Sequence, residues 1–367
     1  IGVIARRLSG QPFGIGRYMQ YLLQHWSEQL RPDEEVVLYT WEELELSELE
    51  LSDAIRTEVV GPRVLGTLWE NVVLPPRARG LDVLFGPSYT IPLAYPGRTV
   101  VATHSVNERW EGAHEWWYDL TYSPLYRLSA KRADRVIAPL ESTKRDVAEH
   151  YGIPPEKISV AEEGASDIFR PLDDPELLRE TRLRWLGEDR PYVLFVGKMS
   201  RRRNIPSLVR AFARVKQEED LPHALLLFGR NVCDHPLEEM AAELGIADDL
   251  VQTEGRVDRH EEVVAVYNAA DLYVYPSSYD GFSVTLVEAM ACGLPVVTVD
   301  RSAMGDIAGG AACTVDRPTP ERLAGAMRRV LTDRAYRDEV SRECRERSKE
   351  FTWRHCARRT LEVLREV

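Results

Sequence analysis

Two carboxylates and a run of backbone amides fall within residues 279–297, YDGFSVTLVEAMACGLPVV. Read as a helix from about Ser283 to Cys292, this stretch sets Val284, Val287, Glu288 and Ala291 on one face. Glu288 then lies in an apolar stripe, where a carboxylate without hydrogen-bond donors is costly. It calls for hydroxyl or amide donors, from the protein or from a ligand. Asp280 precedes Gly281 in the loop before the helix, where a backbone without Cβ can approach a ligand closely. At the helix start, the amides of Ser283, Val284 and Thr285 are donors aimed at an anion. An anion cradle flanked by two acids is the outline of a sugar-nucleotide site.

Three further places carry chemistry. The strand YVLFVG (192–197) runs into KMSRRRN, and cations in a loop after a strand and a glycine suit an anion, although most charge runs are simply solvated. TVVATH (99–104) ends in His104, at the carboxyl end of a strand, where open α/β sheets bind ligands. In isolation, a histidine there serves local hydrogen bonding more often than catalysis. QPFGIGRYMQYLLQHW reads as a glycine loop entering a helix striped with Tyr18, Tyr21, Leu22 and His25. Its Gly14-x-Gly16-x-x-Met19 lacks the third glycine of a dinucleotide fingerprint, which argues against nicotinamide binding. By spacing alone, a tight turn and a functional loop fit it equally.

The elements that must hold these residues are parallel strands and helices. Strand signals recur at residues 1–5, 36–40, 83–85, 99–104, 135–140, 192–197, 223–230, 271–278 and 295–299, with helical stretches between many of them. Gly293 and Pro295 stop the helix of the first stretch and lead into PVVTV. Trp110, Trp116, Trp117 and Tyr118 are followed by Lys131, Arg132 and Arg135, which reads first as a packed helix pair with a solvated basic end. An acceptor pocket or a membrane-facing surface is the sharper alternative.

At 367 residues the chain suits two domains rather than one core. Its 29% charged and 44% apolar residues make a globular composition, and a net charge of −12 argues against nucleic acid as the main partner. No apolar run approaches the roughly 18 residues that span a bilayer. IGVIARRLSG reads as a first strand rather than a signal peptide. The five cysteines show no C-x-x-C spacing, which suggests a reducing compartment and no zinc site.

The stretch D-G-F-S-V-T-L-V-E-A-M-A-C-G-L-P-V resembles the E-G-F-G-x-x-x-x-E-A-M-A-x-G-x-P-V signature of retaining family 4 glycosyltransferases of the GT-B fold. Asp280 stands for the first Glu and Ser283 for a Gly, while Glu288 is intact. The resemblance implies that Glu288 holds the ribose hydroxyls and that Asp280 approaches the transferred sugar, from one methylene further away. It implies donor contacts for Gly281, Phe282, Ser283, Val284 and Thr285. The family pattern G-R-x-x-x-x-K-N/G places Lys198 and Arg203 at the two cations that reach the donor diphosphate, each as the other basic type, and leaves Arg201 and Arg202 as surface. It makes His104, followed here by Ser105 where an acid is common, a contact to the donor sugar. It turns Gly14 and Gly16 into a loop facing the donor phosphates, and has backbone at Val257 of Gly255-Arg256-Val257 touching the base.

The expected architecture is α/β: GT-B, two Rossmann-like domains whose parallel sheets face each other across a cleft. Residues 1–171 form the acceptor-side domain, 172–350 the donor domain, and 351–367 a helix crossing back to the first. The expected activity is transfer of a hexosyl group from a nucleoside diphosphate sugar to a hydroxyl of a glycan, glycolipid or small molecule. The resemblance implies that configuration is retained and, with no D-x-D motif, no divalent metal or other cofactor is expected. A cytoplasmic location is expected, with peripheral contact at the inner membrane face left open. The rivals are a sugar-nucleotide epimerase of the same fold, a nicotinamide oxidoreductase and a non-catalytic nucleotide-sugar-binding protein.

Overall fold

The computed structural model describes the chain except residues 11–13, 107–115, 256 and 258–259, and the side chains of 116–121. It divides into two compact units, Ile1–Glu163 with Thr352–Val367, and Gly164–Phe351.

The first unit holds a parallel sheet of β1 (Gly2–Ile4), β2 (Val36–Thr40), β3 (Ile55–Val59), β4 (Leu84–Gly86), β5 (Thr99–Ala102), β6 (Arg135–Ala138) and β7 (Ile158–Val160), in the order β3-β2-β1-β4-β5-β6-β7. The chain moves outward from β1 and then returns to its other side, so the order reverses between β1 and β4. Helix Trp353–Arg365 completes this unit against helix Ile15–Gln29. Trp26 Nε1 donates to Ala357 O at 2.9 Å, and the rings of Tyr21 and Trp353 stack at 4.7 Å.

The second unit holds β8 (Tyr192–Val196), β9 (Ala224–Phe228), β10 (Leu250–Thr253), β11 (Leu272–Tyr275), β12 (Val296–Val299) and β13 (Cys313–Val315), again all parallel, in the order β10-β9-β8-β11-β12-β13. YVLFV and ALLLF are buried throughout, because helices cover both faces of a parallel sheet and leave no polar side. Here the order reverses between β8 and β11, and a doubly wound sheet opens a crevice beyond the carboxyl ends of such a strand pair.

One sequence-based boundary moves. Residues 164–171, expected in the first domain, pack in the second unit: Ala165 N donates to Phe351 O at 3.3 Å and Asn268 Nδ2 to Arg170 O at 3.0 Å. Pro171 looks like a linker in sequence, but these backbone hydrogen bonds already tie the preceding passage down. Among the described residues, no helix is long and apolar enough to cross a membrane.

Candidate functional site

The second unit gathers most of the expected residues at the reversal between β8 and β11. β8 runs into Gly197 at φ +130°, a conformation that favours glycine, and a Cβ there would come within 2.2 Å of Arg203 Nη1 and displace that guanidinium. Gly197 also receives the backbone of Gly229, whose own Cβ would meet Gly197 O at 2.1 Å. Lys198 follows, exposed, and its carbonyl accepts from Arg203 Nη1 at 3.0 Å. The Arg203 guanidinium lies 5.4 Å from the centre of the Tyr275 ring. Burial opposes its charge, but Tyr275, Asp280, Tyr273 and Tyr267 around it give a net upward shift of its pKa. Asn204, at φ 51°, begins helix Ile205–Glu219 and donates to Pro276 O at 2.9 Å and Ser278 Oγ at 2.7 Å. The cation loop is therefore fastened to the loop after β11.

That second loop leads through Asp280, Gly281 and Phe282 into helix Val284–Ala291, with Ser283 at its N-cap. Leu286 N and Val287 N turn back to Ser283 O, which leaves the Ser283, Val284 and Thr285 amides in the first turn, beyond reach of any intrahelical acceptor. Phe282 sets its ring edgewise to Phe351 at 6.1 Å. Glu288 and Asp280 are each only 5% exposed. Each meets a tyrosine: Tyr267 donates to Glu288 Oε2 at 3.0 Å and Tyr275 to Asp280 Oδ2 at 2.8 Å. Between them Tyr273 donates to Thr285 Oγ1 at 3.0 Å. Burial pushes the Tyr267 and Tyr273 hydroxyls well above their ordinary value and Tyr275 up to about 12, so all three keep their protons at neutral pH. The donor that Glu288 requires is in part supplied by the protein.

Arg202 corrects the sequence reading. Expected at the surface, it has a side chain only 19% exposed, bonded to Tyr279 O at 2.7 Å and paired with Asp280. The run of three arginines concealed it, since solvation accounts equally well for all of them. Two of the three tyrosines had a signal: in LYVY alternate residues share a face, so Tyr273 and Tyr275 point the same way. Val257 is half-buried near Gly255, at φ +65°, whose Cβ would meet Gly229 Cα at 2.9 Å; its neighbour Arg256 lies outside the described residues.

In the first unit, His104 follows β5. Its Nδ1 lies 2.8 Å from Glu163 Oε1 and its Nε2 2.9 Å from Pro87 O. A carbonyl only accepts, so Nε2 carries a proton. Burial lowers the His104 pKa, while the hydrogen bond to Glu163, its charge and the Pro87 carbonyl raise it further, for a net upward shift. Tyr18 meets the ring edgewise at 4.7 Å and Tyr89 at 5.5 Å. Both ring nitrogens are thus engaged within the protein. Gly14, at φ +53°, is the N-cap of helix Ile15–Gln29, and Gly16 is buried in its first turn, ahead of Tyr18. The preceding loop residues 11–13 lie outside the described residues, as do Trp110 and the side chains of Trp116, Trp117 and Tyr118. Of the basic end, Arg132 donates to Tyr95 O at 2.9 Å and Arg135 pairs with Glu366 at 2.8 Å.

Residues 183–351 match the family Glycosyl transferases group 1, and residues 14–166 match Glycosyltransferase Family 4. Among curated relatives, O-antigen chain mannosyltransferase B of Escherichia coli is 25% identical over 236 residues, 64% of this chain and 61% of that protein. D-inositol 3-phosphate glycosyltransferase of a Nocardioides species is 30% identical over 253 residues, 64% of this chain and 54% of that one. The chain thus spans between 54% and 61% of the length of these relatives. Anabaena HepE, solved with UDP and glucose, superposes with a TM-score of 0.77 at 15% identity, covering 100% of this chain and 99% of that one. Sucrose-phosphate synthase of Thermosynechococcus elongatus gives 0.77 at 21% identity, covering 100% and 98%. With both family matches in tandem on two parallel α/β sheets, the chain belongs to the family 4, group 1 glycosyltransferases and has the GT-B fold.

Proposed function

We propose that the protein transfers a hexosyl group from a nucleoside diphosphate sugar to a hydroxyl of a glycan or glycolipid, with retention and without a divalent ion. One observation carries this reading: Lys198, Arg203 and the first turn of helix Val284–Ala291 stand together at the carboxyl ends of β8 and β11. Two cations and a set of oriented amides suit a diphosphate, and they suit it better as charge develops on it. In the reaction, the bond from the anomeric carbon to the phosphate oxygen breaks, and the acceptor oxygen attacks that carbon from the same face. The leaving phosphate oxygen takes the acceptor proton. Glu288, held by Tyr267, accepts from the ribose hydroxyls, and Asp280 faces the sugar. The relatives favour a sugar nucleotide and a glycan, since one is an O-antigen mannosyltransferase and HepE was solved with UDP-glucose.

The same reading keeps the protein in the cytoplasm with a peripheral contact to anionic lipid. It is supported by Leu65, Leu68 and Val72, which are 79%, 46% and 59% exposed, with Arg63, Arg77 and Arg79 exposed beside them in the chain. Aliphatic side chains enter the acyl boundary while arginines meet phosphate headgroups. The backbone beneath is fixed, because Trp69 Nε1 donates to Val60 O at 2.7 Å and buried Glu70 pairs with Arg6.

The test is the melting shift of the protein with UDP-, GDP- and ADP-sugars, with and without EDTA. A shift for one nucleotide, unchanged by EDTA, followed by transfer to an acceptor, supports the reading. A metal-dependent shift overturns the metal-free mechanism, and binding without turnover leaves a nucleotide-sugar-binding protein.

A further inference from the structure

Asp280 departs from the acid that the family signature carries, and Arg202 is the residue that meets it. Both oxygens of Asp280 are held, Oδ2 by the Tyr275 hydroxyl at 2.8 Å and Oδ1 by Arg202 Nη1. The Asp280 carbonyl accepts from Ser302 Oγ at 2.9 Å, so the backbone beneath the acid is tied as well. Arg202 is fastened at both ends. Its carbonyl accepts from Ser278 N at 2.8 Å and Asn204 Nδ2 at 3.1 Å, and its guanidinium bridges Asp280 and the Tyr279 carbonyl. Tyr275 sits on a central strand, between the Phe195 and Tyr273 rings, stacked at 5.8 and 6.0 Å. Arg202 cannot retreat without breaking its other bonds, nor Tyr275 without disturbing its stacked neighbours. The space between them is therefore set for a carboxylate on one methylene.

We propose that Arg202 is a positioning residue, which with Tyr275 forms a seat matched to aspartate at position 280 and too short for glutamate. The proposal rests on the transferase reading and deepens it, because the seated acid is the one that faces the transferred sugar. A glutamate here brings its carboxylate about 1.5 Å further along the same direction, one C–C bond length, into the Tyr275 hydroxyl or the guanidinium. One of the two bonds must go, and the acid turns away from its working direction. Restoring the family's own residue thus impairs this protein. Once Arg202 is removed, the longer acid has room, and the sign of the substitution reverses. A lysine at 202 restores the charge but not the rigid planar guanidinium, whose Nη1 serves both acceptors at once.

The experiment is a double-mutant cycle on the full chain with the donor found in the panel: wild type, Asp280→Glu, Arg202→Met, the double variant, and Arg202→Lys. Steady-state kcat and donor KM are read beside the melting temperature. Asp280→Glu is expected to lower kcat about tenfold or more, with donor KM within about twofold. In the Arg202→Met background the same change is expected to leave kcat equal or raise it, and Arg202→Lys is expected to recover part of the loss of Arg202→Met. Additive effects, or an Asp280→Glu protein as active as wild type, overturn the seat. Equal losses in kcat and in every other background, tracked by melting temperature alone, reduce Arg202 to a structural ion pair and overturn it too. A wild-type protein that neither binds nor turns over any donor overturns the transferase reading, and this inference with it; the two failures are told apart by the wild type alone.

Discussion

Replacing Tyr267 by phenylalanine removes one oxygen and leaves the ring. That ring is packed against Phe169 and Tyr273, at 5.8 Å from each, so the loss is confined to the hydrogen bonds of the hydroxyl. The main one runs to Glu288 Oε2 at 3.0 Å, with the Thr285 carbonyl further off at 3.3 Å. Glu288 is only 5% exposed, and water does not readily replace the donor. A hydrogen bond to a charged group is worth about 1.5–3 kcal/mol, and for a domain of this size each kcal/mol moves the midpoint by about 2–4 °C, giving a fall of about 3–12 °C. Calorimetry on the full chain reads it directly. Added donor should recover part of the loss, because ribose hydroxyls give the acid what the tyrosine gave. Glu288→Ala, by contrast, removes the acceptor, and is expected to raise donor KM more than Tyr267→Phe does. A Tyr267→Phe protein melting within about one degree of wild type would mean that Glu288 does not depend on that hydroxyl, and the argument for a tyrosine-held ribose acid would fail.

Other perturbations test other parts of the site. Lys198→Ala with Arg203→Ala should lower kcat about 10²- to 10³-fold with a smaller change in donor KM, and near-normal turnover would refute leaving-group stabilisation. The pKa of His104 is raised above 6.5 in the folded protein, so its contribution to stability is complete below that value and is lost as pH rises through the higher folded value. Denaturant unfolding should therefore show stability falling across neutral pH, and Glu163→Gln should flatten that fall. Leu65→Glu with Leu68→Glu should abolish sedimentation with phosphatidylglycerol vesicles, and retained binding would move the lipid contact elsewhere.

Much of the second unit was readable because its physics is local. YVLFV and ALLLF are too apolar for anything but a strand covered on both faces, and Glu288 stands out as an acid in a helical apolar stripe. What escaped depends on residues far apart in sequence. Arg202 acquires its meaning only when the loop after β11 brings Asp280 to it, and nothing within R-R-R separates it from its neighbours. The pairing of His104 with Glu163 joins the end of β5 to the last residue before the units divide. Glu163 in the sequence is merely the residue before a glycine turn. The three tyrosines were visible as strand and helix residues, but their hydroxyls matter only through where helix Val284–Ala291 begins.

Helix Trp353–Arg365 has a consequence for the order in which this molecule is made. The second unit is one unbroken segment, Gly164–Phe351, inserted between two parts of the first. Chains emerge from the ribosome amino end first, and domains usually become native in that order. Here the later segment can finish before the earlier one, because Trp26, packed on Phe85 and 1% exposed in the finished protein, lacks its Ala357 acceptor until that residue has been synthesised. During that interval helix Ile15–Gln29 lacks the face that helix Trp353–Arg365 brings to Tyr21 and Trp26, and a chaperone working on this chain during translation would find its customer there.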